Sequence, residues 1–162
     1  MTSASTGVVT RWHWLGAAVL VALDQLTKKW ASTHLSEYHP FVIIPDKVSF
    51  QLVHNFGAAY GILQNQRPIL LAIATLVLGV CIVFRNQLAP TAVSRWGLMI
   101  LVAGTLGNYL DRVRLHYVVD FIDIRIFPVF NVADVLIDIG LALFLLDIFL
   151  EWNKNRRRSA EA

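Results

Sequence analysis

The chain has 162 residues, 56% of them hydrophobic and 15% charged, with a mean hydropathy of +0.57. That balance excludes an ordinary soluble domain and predicts an integral membrane protein of one domain. A net charge of +3 and a pI near 9.3 do not make a nucleic-acid binder, because the basic residues are spread between apolar blocks instead of gathered in one stripe, and the single cysteine, Cys81 in an apolar run, excludes a disulfide framework and a cysteine metal site.

Residues 1–10 are small and polar and read as disordered. Trp12 and Trp14 read as interfacial anchors of a first span over about 12–30. Arg11 and the apolar run after it have the outline of a signal peptide. The run leads instead into Asp24-Gln25-Leu26-Thr27-Lys28-Lys29, with no small-x-small cleavage site. Asp24 and Lys28, four apart, read as an acid-to-base pair on one helix face, with Lys28 and Lys29 snorkelling to the surface. Hydrophobicity then drops over 31–67. Phe41–Ile44 and Val48–Val53 are β-branched and aromatic runs around Pro45-Asp46-Lys47, which predicts a small antiparallel sheet outside the bilayer. In Asn55-Phe56-Gly57-Ala58-Ala59-Tyr60 an amide precedes residues of little bulk. Such a stretch either admits another backbone or makes a strand-to-helix turn capped by Asn55.

Residues 68–84 are almost purely apolar and just long enough to cross the core of a bilayer. A short polar connection leads to a third span over about 96–112, in which Gly104 and Gly107 suit close helix packing. Asn108 and Arg112, four apart, can point at one neighbour. Residues 113–130 return through the outer compartment, Pro128 stopping any helix. Asn131 reads as an N-cap with Asp134 three residues on, the spacing of a capping box. A fourth span over about 131–150 ends in the basic tail Lys154, Arg156, Arg157 and Arg158.

Four spans place both termini on one side. The Lys and Arg residues divide evenly between the two sides, seven against seven, and the compact basic tail decides for cytoplasmic termini. Residues 31–67 and 113–130 then face outside together with a crowd of polar groups: Asn108, Asp111, Arg112, Asp120, Asp123, Asn131 and Asp134. An ionisable residue at a membrane helix centre costs roughly 2.5–3.5 kcal/mol, so such a cluster points to function. Asp120 and Asp134 are the sharpest pair, each placed where a span meets water. Two carboxyls held close do not both ionise easily; one keeps a proton while the other is a base. Such a pair can activate water against an amide carbonyl with no covalent intermediate, metal or cofactor. His13, His34, His39, His54 and His116 are scattered without ligand spacing. The competing class is a small proton- or cation-coupled transporter using the same acids, against which the acids gather at one membrane face.

Five motifs in order, Leu23-Asp24-Gln25-Leu26-Thr27-Lys28, Asn55-Phe56-Gly57-Ala58-Ala59-Tyr60, Gly107-Asn108-Tyr109-Leu110-Asp111-Arg112, Val118-Val119-Asp120-Phe121 and Phe130-Asn131-Val132-Ala133-Asp134, resemble the motif series of bacterial lipoprotein signal peptidases (signal peptidase II). The resemblance implies an all-α membrane protein, a four-transmembrane-helix bundle with a small extracytoplasmic antiparallel β-sheet cradle. It implies an aspartic endopeptidase of the bacterial inner membrane that cleaves diacylglyceryl-modified prolipoproteins just before the lipidated cysteine. By motif match Asp120 and Asp134 would be the catalytic dyad, with Asn55, Gly57, Asn108, Arg112 and Asn131 lining the site and Asp24 and Asp111 supporting it. The family needs no cofactor or metal, works as a monomer among membrane lipids, and is blocked by globomycin-type cyclic peptides. Asp138 departs from the family pattern, which has an uncharged residue there. Four residues from Asp134 and displaced by about 6 Å along the same face, it is the rival partner for Asp120.

Overall fold

In the computed structural model, which describes residues 8–160, helix α1 (Arg11–His34) is followed by strands β1 (Phe41–Ile44) and β2 (Val48–Asn55), a 3-10 turn (Ala59–Gly61), and helices α2 (Arg67–Val83), α3 (Arg85–Leu88) and α4 (Ala92–Arg114). Strand β3 (Val118–Asp123) and helix α5 (Val132–Ala160) complete the chain. The expected disordered N-terminus falls mostly on residues 1–7, outside the described residues, and Val9 is already buried.

Helix α4 is the axis of the bundle, packing against α1, α2 and α5. It meets α5 most closely where neither helix has a side chain. A Cβ on Gly140 would lie 2.6 Å from the Leu101 nitrogen and 2.8 Å from the Gly97 oxygen, and one on Gly104 would run into the Ala133 carbonyl. Small residues thus let the two backbones touch, as the sequence predicted. At the far end Thr91 caps α4 by accepting from the Ser94 N–H (3.1 Å), and its hydroxyl donates to buried Asp147 on α5 at 2.6 Å.

The sheet has the order β1-β2-β3 with both pairings antiparallel. The hairpin of β1 and β2 was legible. Strand β3 was not, because residues 113–130 read as a return loop. Its first four residues are all buried, Val119 and Phe121 packing with Ala31 and Leu52. Trp30, Phe50 and Phe121 form a triangle of edge-on aromatic contacts, centroids 5.9–6.5 Å apart, which ties the sheet to the end of α1. The chain then folds back so that Ile122 and Phe130 exchange backbone hydrogen bonds of 2.8 and 3.0 Å, delivering Asn131 beside β3.

The sequence predicted four spans by apolar length. Among the described residues, no helix is both long and apolar enough to cross a membrane on that measure. Helix α2 is apolar but has 17 residues, and α1, α4 and α5 are longer and carry charges. The charged residues are not spread evenly, however. Asp24, Lys28, Asp111 and Asp147 are buried, whereas Leu15, Val19, Leu23, Ile73, Leu76, Leu141, Leu145 and Ile148 are exposed. Polar groups inside and large apolar ones outside reverse the arrangement of a water-soluble bundle. The expected basic tail is also part of a helix, since α5 runs on to Ala160.

Substituting Gly140 by Val should destabilise the fold by at least the 1–3 kcal/mol typical of overpacking. In Gly79→Ala the new Cβ meets nothing within 4 Å, and stability should hold or rise by up to about 1 kcal/mol. Thermal unfolding of the two purified variants compares them directly.

Candidate active site

The site is assembled around a lysine. Lys28, on α1, is 3% exposed. Its Nζ lies 3.0 Å from Asp24 Oδ2 and 3.1 Å from Asp111 Oδ2 and donates to Asn108 Oδ1 at 2.8 Å. The sequence reading of Lys28 as a snorkelling helix-end cation is therefore corrected; only Lys29 is exposed. Two carboxylates contributed by different helices, with an amide, hold the ammonium in place of water, the condition under which a buried charge is tolerated.

Each ligand of the lysine then organises another element. Asp24 Oδ1 accepts the Ala133 N–H at 2.9 Å, satisfying one of the unpaired donors at the start of α5 with a negative charge. This carboxylate fits against α4 because residue 107 is glycine, where a Cβ would strike Asp24 Oδ2. Asp111 accepts the Val119 N–H at 3.2 Å and Gln25 Nε2 at 2.9 Å, pinning β3 to the end of α4. Asn108 donates to Asp134 Oδ1 at 2.7 Å.

Asp120 lies mid-way along β3 and is 2% exposed. Val53 is its partner across the sheet, so Asn55 two residues on stands diagonally opposite and donates Nδ2 to Asp120 Oδ2 at 2.8 Å. The other amide atom of Asn55, Oδ1, accepts the Gly57 N–H at 2.9 Å. One amide thus both closes the turn after β2 and touches Asp120. Asn131 donates Nδ2 to Asp120 Oδ1 at 2.6 Å and to Asn108 Oδ1 at 3.1 Å. The capping box is also present: Asn131 Oδ1 accepts the Asp134 N–H, and Asp134 Oδ2 accepts the Asn131 N–H, each at 3.1 Å. The two carboxyls are thus joined through Asn131, and through Asn108 to the lysine.

Arg112 donates Nη2 to the Gly57 carbonyl at 2.9 Å and lies within electrostatic reach of Asp134, the residue that Asn108 also meets, and of Asp120 and Asp111. A Cβ on Gly57 would meet Gln64 Oε1 at 2.7 Å and the Ile62 carbonyl at 2.9 Å, so only glycine lets the 56–64 segment close on itself here. Asp138 is exposed and lies outside the network. Lys28 and Gln25 belong to the network and were not singled out from the sequence; the i,i+4 spacing of Asp24 and Lys28 was the available signal, read as a surface pair. Among the described residues no group of three or more His, Cys, Asp or Glu side chains is placed to hold a metal ion.

Burial, and then the nearby negative charge of Asp134, push the Asp120 carboxyl up to about 7, against the opposing pull of its hydrogen bonds from Asn55 and Asn131 and of Lys28. Near neutral pH Asp120 therefore exchanges its proton readily, as an acid–base group must.

Asp120, buried, and Asp134, half-buried, are thus bridged by one amide, and comparison with known proteins decides the family. The family model for signal peptidase (SPase) II matches residues 16–150. The chain belongs to the signal peptidase II family. The lipoprotein signal peptidase of Brevibacillus brevis is 39% identical over 148 residues, 90% of this chain and 99% of that one. That of Streptococcus agalactiae is 38% identical over 82% of this chain and 88% of its own. A bacterial membrane enzyme solved by the in meso method at 2.3 Å superposes with a TM-score of 0.82 at 32% identity, over 88% of this chain and 90% of that one. A second, at 1.9 Å, gives 0.76 at 33%, over 84% and 91%. As a signal peptidase II the protein is an aspartic endopeptidase of lipoprotein processing, of a family of bacterial membrane enzymes.

Two outcomes follow for this signal peptidase. Lys28→Met leaves Asp24 and Asp111 buried without their cation and should cost about 3–5 kcal/mol, read from thermal unfolding. A carboxyl raised in the folded state binds its proton more tightly folded than unfolded. Its stabilising contribution is full below about pH 4, the unfolded value, and is lost as pH rises to about 7. Unfolding temperatures measured across that window should fall for the native chain and fall less in Asp120→Asn.

Proposed function

We propose that this signal peptidase II spans the inner membrane four times, through about 12–30, 68–84, 96–112 and 131–150, with both termini cytoplasmic and residues 31–67 and 113–130 outside. In this reading it cleaves diacylglyceryl-modified prolipoproteins just before the lipidated cysteine, at a site near the outer face. The apolar exterior and polar interior of the helices support the span assignment. Charges that lower the mean hydropathy of α1 and α4 are paired with one another inside the bundle, where lipid does not meet them.

Water activation by Asp120 and Asp134 is supported by one observation above all. The two carboxyls are electrostatically coupled and share hydrogen bonds to a single amide residue, Asn131. In the proposed reaction one carboxylate takes the proton of a water molecule as its oxygen attacks the scissile carbonyl. The protonated partner donates to the carbonyl oxygen, and collapse of the tetrahedral intermediate passes a proton to the leaving amine. Asn55, Asn108 and Asn131 hold the pair without adding charge. Arg112 and Gly57 form the rim where a substrate backbone would lie, the place a globomycin-type peptide would occupy.

Asp120→Asn and Asp134→Asn should each abolish cleavage of a lipidated prolipoprotein, since an amide neither accepts the water proton nor shares one with its partner. Asp138→Asn should keep most of it, because Asp138 is exposed and outside the network. An active Asp134→Asn beside an inactive Asp138→Asn would place the dyad on the wrong turn of α5. In a Cys81→Ser background, Ser159→Cys should be labelled from the cytoplasmic side only; labelling from outside in intact cells would overturn the topology.

A further inference from the structure

A cavity opens between α1 and the end of α4. It has a volume of about 630 Å³ and is lined by Ala22, Leu26, Lys29, Arg114, Leu115 and Val119, with Gln25, Lys28, Ser32 and Asp111 completing its wall. None of Asn55, Asp120, Asn131 or Asp134 lines it. Its size is that of a small-molecule site.

The charges in this cavity divide into two groups. Lys28 and Asp111 in the wall are satisfied by each other and by Asp24. Lys29 and Arg114 are exposed, come from the last turns of two different helices, and have no carboxylate partner among the described residues. The one hydrogen bond of the Arg114 side chain is a 3.4 Å contact to Gln25 Oε1. Below them, over the roughly 10 Å of α1 from Lys29 to Ala22 at 1.5 Å per residue, the apolar part of the wall is Leu26 and Ala22, beside Gln25 and Lys28. A ligand that answers both parts is an anion at the mouth continuous with a hydrocarbon chain below. If the membrane reading above holds, the mouth lies at the headgroup level of the outer leaflet.

We propose that this cavity binds one anionic glycerophospholipid, its phosphate between Lys29 and Arg114 and one acyl chain along Leu26 and Ala22. A diacylglyceryl group, which carries no phosphate, would leave the two cations unanswered, and none of the residues that hold the aspartate pair from β2, β3 or α5 lines the cavity. The inference rests on the membrane reading but not on the identity of the dyad.

Native mass spectrometry of the full-length purified protein, titrated with phosphatidylglycerol or with phosphatidylcholine of the same acyl chains, tests it without any substrate. The native chain should retain phosphatidylglycerol in preference, and excess inorganic phosphate should not displace it. Lys29→Gln and Arg114→Gln should each weaken that preference about fivefold, and the double variant about twenty-five-fold. Leu26→Trp keeps both cations but fills the apolar wall, and should weaken both lipids. Leu26 is 63% exposed, so this variant should fold even where a charge variant does not. Equal retention of the two lipids, an unchanged preference in the double variant, or native binding by Leu26→Trp would each overturn the proposal. Displacement by inorganic phosphate would overturn the lipid as the source of the anion. A chain that binds phosphatidylglycerol as expected but cleaves no lipidated prolipoprotein would sink the proposed reaction and leave this site standing.

Discussion

One buried ammonium fixes the relative positions of everything that matters here. Lys28 brings together Asp24, Asp111 and Asn108, and each of the three then reaches one bond further: to the start of α5 through the Ala133 N–H, to β3 through the Val119 N–H, and to the carboxyl of Asp134. A salt bridge of this kind is weak evidence for stability, since hydrocarbon of the same shape often does as well. Its value lies in register. Four elements that are distant in sequence are aligned to one atom, and a misplaced helix would leave a charge buried with nothing to neutralise it.

The choice of asparagine around the aspartates follows from the same physics. A carboxylate needs donors, the lysine and the helix start need acceptors, and one amide supplies both. Asn131 donates to Asp120 while accepting from the Asp134 N–H, and Asn108 accepts from Lys28 while donating to Asp134. The pair is thereby held without extra cations, whose charge would lower both carboxyls together. Burial remains the largest influence on Asp120. Among the described residues no buried side-chain nitrogen or oxygen lacks a partner, so the network is complete as well as dense.

The sequence carried the hairpin, the bounds of α1, α2 and α4 to within a few residues, the small residues of α4 at a close helix contact, and the crowd of polar residues that became the site. Other features were hidden for identifiable reasons. Val118–Asp123 is buried on both faces, so it lacks the alternation that marks a half-exposed strand, and its two aspartates made it look like loop. The burial of Lys28 depends on Asp111 and Asn108, some eighty residues away; the one local difference from exposed Lys29, an aspartate four residues earlier, fits a surface pair as well. Mean hydropathy says nothing of where the charges of a helix lie. It averages a residue such as Asp24 into its helix, although that carboxylate is fully enclosed and the surface around the helix is apolar. The extension of α5 through Glu151-Trp152-Asn153-Lys154 needed only the absence of glycine and proline, a signal easily outweighed by the run of charges that follows.

The glycine contact between α4 and α5 has a mechanical consequence. Two backbones in van der Waals contact, with nothing compressible between them, cannot slide or tilt without collision, so the two helices act as one stiff beam carrying Asn108, Arg112 and Asp134. The neighbouring segment, 56–66, contains Tyr60, Gly61, Leu63 and Asn65 at positive φ and is tied to this beam by the bond from Arg112 to the Gly57 carbonyl. Its turns are thus set against a fixed base, so that a change in the loop's length or shape is felt at Arg112 before it is felt at Asp134.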